Sequence, residues 1–98
     1  MTSNRKWKKY YLICYDVRNT KRRTKLMKCL KNYGVAVQKS VFEACLYDDD
    51  KLRMTEEAKA FIAENDSLRI YVLSKKAYKE KEVTGIPFDY RPEEDVIL

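Results

Sequence analysis

Asp16 is the only acidic residue among positions 1–40, and Arg18, Lys21, Arg22 and Arg23 follow it within seven residues, in the stretch YLICYDVRNTKRR. Residues of these types can do a defined chemistry. A carboxylate holds a hard divalent ion, and guanidinium or ammonium groups hold phosphate oxygens. Side by side they suit a phosphodiester. Three readings of Asp16 stand open: it caps the turn that follows, it pairs with Arg18 or Arg23, or it ligates a metal. One carboxylate is a poor Mg²⁺ site, because that ion takes several oxygens. Two copies about a two-fold axis would set two Asp16 carboxylates around one hydrated ion.

The rest of the inventory narrows the chemistry. The chain has no histidine, which removes Ser/His and Cys/His catalysis, histidine bases and Cys/His zinc sites. Cys14, Cys29 and Cys45 lie 15 and 16 residues apart, a spacing that suits neither zinc nor redox motifs. Their odd number argues against a disulfide framework. They sit in apolar runs and read as reduced core residues of a cytoplasmic protein. The run Asp48-Asp49-Asp50 reads as an acidic turn before a helix rather than a metal site.

Elements must hold Asp16 and the cations in place. Tyr10–Val17 reads as a strand, aromatic and branched. Asn19 or Thr20 can cap a helix running to about Tyr33, with Gly34 placed to end it. Leu26, Met27, Cys29, Leu30 and Tyr33 share one arc of that helix, and Lys21, Lys25, Lys28 and Lys31 share the opposite one. Val35–Gln38 and Ser40–Leu46 read as strands. A second helix, starting at Asp50 or at Thr55, ends near Glu64 with Met54, Ala58, Phe61 and Ile62 on one face. Ser67–Leu73 is the fourth strand. The order is β-α-β-β-α-β, the ferredoxin-like plan in the α+β class, as one domain over residues 1–98. Residues 74–94 read as a charged tail, and Asp95–Leu98 as an extra terminal strand.

The start of the first helix breaks a local rule. The positive end of its dipole disfavours Lys21, Arg22 and Arg23, and broken rules mark function or compensation. A phosphate there would satisfy free backbone N–H groups and cations together. Arg22 and Arg23 lean toward the strand end that carries Asp16, while Lys25 and Lys28 point outward. Charge over the whole chain points the same way. Positions 1–40 hold 12 Lys/Arg against one acid, positions 41–98 hold 9 against 14, and the net is +6. So basic a half favours a polyanion, with nucleic acid first. No apolar run reaches membrane-spanning length, and RKWKKYYLICY is too short for a signal peptide before Asp16 ends it.

The strands are apolar on both faces. Two helices cover one face of a sheet, so the other should be buried against a second copy, as a two-fold homodimer. The terminal Val96, Ile97 and Leu98 suit addition to a sheet edge.

The segments YLICYDVRNTKRRTKLMKCLKNYG, VQKSVFEACL and DSLRIYVL, in this order and spacing, resemble the small CRISPR-associated endoribonuclease family. This is the smaller protein of the spacer-acquisition machinery. The resemblance is close over about residues 9–74 and looser at DVIL. It implies a ferredoxin-like homodimer in which Asp16 of both chains binds one Mg²⁺ across the interface. It implies that Tyr15 and Arg23 act beside Asp16, with Arg22 and Lys25 at the basic helix start; with the lysine face of that helix, Lys21, Arg22, Arg23, Lys25 and Lys28 read as the nucleic-acid contacts. Ser40 and Phe42 match a segment near the dimer cleft. Where members often carry a basic residue before the QxS segment, this chain has Ala36 and Val37.

Two roles follow from the resemblance. One is metal-dependent cleavage of single-stranded RNA or duplex DNA. The other is a dimeric bridge that holds DNA between copies of the CRISPR integrase. In the second role the lysine face and the Arg5, Lys6, Lys8, Lys9 cluster contact phosphates, and Val96, Ile97 and Leu98 dock the integrase. A toxin-type ribonuclease of the same fold is the remaining alternative.

Overall fold

The structure is a computed structural model and describes residues 7–85. Its elements are β1 (Lys9–Asp16), α1 (Thr20–Lys31), β2 (Gly34–Gln38), β3 (Val41–Leu46), α2 (Asp48–Lys59), β4 (Ser67–Leu73) and a short α3 (Lys75–Lys79). The strands form one antiparallel sheet in the order β2-β3-β1-β4. This is the ferredoxin-like arrangement expected. Arg5, Lys6 and the terminal Val96–Leu98 strand lie outside the described residues. Among those described, no helix is long and apolar enough to cross a membrane.

Alternation in β1 builds the core. Tyr11, Ile13, Tyr15 and Val17 are buried on the helix side. Phe42, Ala44 and Leu46 of β3 join them, with Leu26, Met27 and Leu30 of α1 and Met54 and Ala58 of α2. Ile13, Leu26, Met27, Leu30, Phe42 and Met54 are almost wholly enclosed. Each such large side chain stabilises the fold by about 1.5–3 kcal/mol through burial.

Asn19 is the α1 cap: its backbone is extended and its side chain accepts the Arg22 N–H at 2.9 Å. Gly34 does not end the helix. It opens β2, pressed against β3, where a Cβ would lie 2.3 Å from the Glu43 carbonyl oxygen. Only glycine allows that approach. Asp48–Asp50 form the first turn of α2 rather than a turn before it, because three carboxylates favour the positive end of a helix dipole. Phe61 and Ile62 lie beyond α2 and still pack on the core.

The second sheet face is only partly open. The chain folds back after β4, and Tyr78 of α3 stacks on Tyr10 with ring centroids 4.0 Å apart. The Lys81 ammonium lies 3.5 Å over the Tyr78 ring and 2.9 Å from Glu43 Oε1. The stretch expected to be a plain charged tail thus begins as a cover on one end of this face. The cysteines also depart from expectation. Cys14 and Cys29 are half-buried and Cys45 is exposed, all three as free thiols. Cys14 and Cys45 alternate with core residues and fall on the open face.

Candidate nucleic-acid and metal site

Asp16 is the last residue of β1 and the register partner of Ser67 in β4. It shares the open face with Leu12 and Cys14, at the end far from Tyr10 and its α3 cover. Its side chain is exposed. Among the described residues its carboxylate makes no hydrogen bond or ion pair.

The structure supports neither of the first two readings of Asp16. The cap is Asn19. Neither arginine pairs with Asp16. Arg18 donates its backbone N–H to Asp66 Oδ1 at 3.0 Å and its Nε to the Asn65 carbonyl at 3.4 Å. Arg23 donates Nη1 to the Val17 carbonyl at 2.9 Å and Nη2 to Thr20 Oγ1 at 3.1 Å. Arg22 donates Nη2 to Asp66 Oδ2 at 2.7 Å. The free carboxylate is therefore available to an outside ligand.

Asp66 was not anticipated from sequence. It also accepts the Ala63 N–H at 2.8 Å, and its side chain is nearly enclosed. The two backbone donors and the Arg22 guanidinium hold its carboxyl well below the usual carboxylate range, at about 2. Asp66 supplies the anion that the basic start of α1 lacks in its own sequence. The broken helix rule is thus compensated from the α2–β4 loop, and a phosphate is not required to explain Arg22.

Tyr15 lies on the other side of the sheet from Asp16. Its ring is buried, its hydroxyl donates to the Lys39 carbonyl at 2.9 Å, and its backbone N–H donates to the Ser40 carbonyl at 3.1 Å. It clamps the β2–β3 turn against the end of β1. Phe42, expected near a dimer cleft, is a core residue: strand parity turns it toward the helices and it is fully buried. Ser40, in the turn before β3, is half-buried.

Lys21, Lys25 and Lys28 form one exposed stripe on α1, pointing away from the core. No side-chain partner engages them among the described residues. In the N-terminal cluster, Lys8 lies 5.1 Å over the Tyr47 ring and Lys9 pairs with Asp48 at 3.3 Å. Arg69 of β4 stands on the open face too, as register partner of Cys14, one inward step from Asp16. No cluster of three or more His, Cys, Asp or Glu suited to a metal occurs among the described residues. A metal at Asp16 would therefore draw its other ligands from beyond the described residues.

Comparison with known proteins completes the description. The family model for CRISPR associated protein Cas2 matches residues 9–81. A CRISPR-associated endoribonuclease Cas2 of Synechocystis is 37% identical over 91 residues, covering 91% of this chain and 98% of that protein. The crystal structure of Streptococcus pyogenes Cas2 superposes with a TM-score of 0.69 at 30% identity, covering 78% of this chain and 99% of that one. A chain of a partial Cas6-RT-Cas1–Cas2 complex superposes with a TM-score of 0.61 at 37% identity, covering 76% and 89%.

Proposed function

The chain belongs to the CRISPR-associated protein Cas2 family, and from that membership we propose a homodimeric, metal-dependent endonuclease of CRISPR spacer acquisition. One observation carries the reading: the exposed Asp16 carboxylate, without a partner among the described residues, at the end of an apolar sheet face. Leaving a lone carboxylate there does nothing for the fold. An oxygen donor of this kind suits a hard cation, Mg²⁺ above all, and Asp16 of a second copy supplies the missing ligand. When bound, such an ion supplies Lewis-acid stabilisation of phosphate charge and eases deprotonation of water.

The chain's own residues do the positioning. Pairing with Ser67 fixes the Asp16 backbone, and Tyr15 locks the strand from the core side. Arg23 holds the Val17 carbonyl and with it the loop after Asp16. Lys21, Lys25 and Lys28 draw in the nucleic-acid backbone, and Arg22 joins them only by exchanging Asp66 for phosphate. The apolar open face supports the homodimer, since Leu12, Val41 and Tyr71 gain by leaving water against a second copy.

The test is cleavage of labelled single-stranded RNA and duplex DNA by the wild type and by Asp16→Asn, with Mg²⁺, with Mn²⁺ and with chelator. Metal-dependent cutting lost in the variant supports the reading. No cutting by the wild type, or equal cutting by both, overturns it.

A second reading is favoured by the likeness to a chain of a Cas1–Cas2-containing complex. Here the dimer holds duplex DNA through the α1 lysines and bridges a Cas1-type integrase without doing chemistry. Duplex binding and integrase capture by Asp16→Asn, both at wild-type strength, would favour it.

A further inference from the structure

We propose that Arg69 is the residue that holds the reacting phosphate beside Asp16. The inference rests on the nuclease reading above and adds a substrate contact to it. It begins with register. Cys14 faces Arg69 and Asp16 faces Ser67 across the β1–β4 pair. Arg69 and Asp16 are therefore diagonal neighbours on one face, a separation of about 7–8 Å. A long guanidinium side chain spans part of that gap, and a phosphate fits in the remainder.

The other arginines near Asp16 are committed elsewhere. Arg18, Arg22 and Arg23 each place part of a guanidinium on Asn65, Asp66, or Val17 and Thr20, and the Nε groups of Arg22 and Arg23 are buried away from the surface. The lysine stripe of α1 lies on the far side of its helix from the core. Arg69 is exposed, and among the described residues its one side-chain hydrogen bond is a long donation of Nη1 to Tyr71 Oη at 3.4 Å. That contact, from the next residue on the same face, orients the guanidinium and leaves its other donors open. Asp16 and Arg69 do not pair with each other despite their closeness. A carboxylate and a guanidinium kept apart on one surface can hold a cation and a phosphate in turn.

The cover after β4 is consistent with this. Tyr78 stacks at the Tyr10 end of β1 and Lys81 reaches Glu43, opposite Leu12 in mid-strand, so neither contact among the described residues falls on Asp16 or Arg69. Arg69 makes and breaks no covalent bond in this role. It donates to non-bridging phosphate oxygens, and its planar fork can do so twice at once.

The test has two arms. Arg69→Ala and Arg69→Lys are assayed for cleavage of single-stranded RNA, with kcat and KM separated. The same changes in the Asp16→Asn background are assayed for RNA binding against salt, with light scattering to follow the dimer. We expect Arg69→Ala to lower kcat/KM by about 10–100-fold. The slope of log K against log salt should fall by about 0.7, one single-strand phosphate contact. Arg69→Lys should recover part of the binding and less of the turnover. Wild-type behaviour of Arg69→Ala in both arms overturns the proposal, as does loss of the dimer in both variants, which makes Arg69 an interface residue. A wild type that cuts nothing overturns the nuclease reading, and the binding arm then judges Arg69 by itself.

Discussion

Arg22 and Asp66 meet at 2.7 Å across 44 positions of chain, and the pair pins the start of α1 to the loop that precedes β4. The same carboxylate takes the Arg18 backbone N–H. One buried anion therefore sets the position of the segment that follows Asp16.

That pair makes stability depend on acid. The Asp66 carboxyl titrates at about 2 in the folded chain and in the ordinary range, about 4, when unfolded. A depressed carboxyl contributes stability that is complete above about pH 4 and is lost as pH falls toward 2. Thermal melts between pH 5 and pH 2 should show this decline in the wild type and a smaller one in Asp66→Asn. At neutral pH Asp66→Ala should melt several degrees lower, because Arg18, Ala63 and Arg22 all lose their acceptor.

Asp16→Asn should leave the metal-free stability unchanged, within about 0.5 kcal/mol, since its carboxylate has no partner to lose among the described residues. Millimolar Mg²⁺ should raise the midpoint of the wild type and not that of the variant, because a ligand of the native state stabilises it by mass action. Equal shifts in the two proteins would place the ion elsewhere.

Reversing the charge of Lys21, Lys25 and Lys28 to glutamate should weaken duplex DNA binding. The salt slope should fall by up to about 3, near 0.9 for each phosphate contact removed. The fold should survive, as all three side chains are exposed. An unchanged slope would remove the α1 stripe from the interface.

Gly34→Ala should cost about 1–3 kcal/mol or more, read by denaturant unfolding. The added methyl would meet the Glu43 carbonyl oxygen and the Ala44 Cβ, both inside the β2–β3 ladder. A neutral result would mean that β2 pairs more loosely with β3 than the register implies.

Local patterns carried most of the fold in the sequence. Ser67–Leu73 matches its expected strand residue for residue, and β1, β2 and β3 differ from expectation only at their ends. Asn19 was legible as a cap because that chemistry spans three residues. Gly34 was misread because helix end and close strand approach both call for glycine, and only pairing with β3, opposite Ala44, separates them. Asp66 could not be seen, since its partners lie at positions 18, 22 and 63. Strand parity, legible in the alternation of β1 and β3, puts Asp16 on one sheet face and sends Tyr15 and Phe42 into the core on the other, while the lysine stripe is exposed.

The stacking of Tyr78 on Tyr10 bears on the life of a single chain before it meets another. An apolar sheet face newly exposed on a nascent protein is a place for chance aggregation. Here the next few residues to be made after β4 carry an aromatic ring and a lysine onto that face. The molecule is in this respect its own chaperone, covering one end of a sticky surface with its own chain.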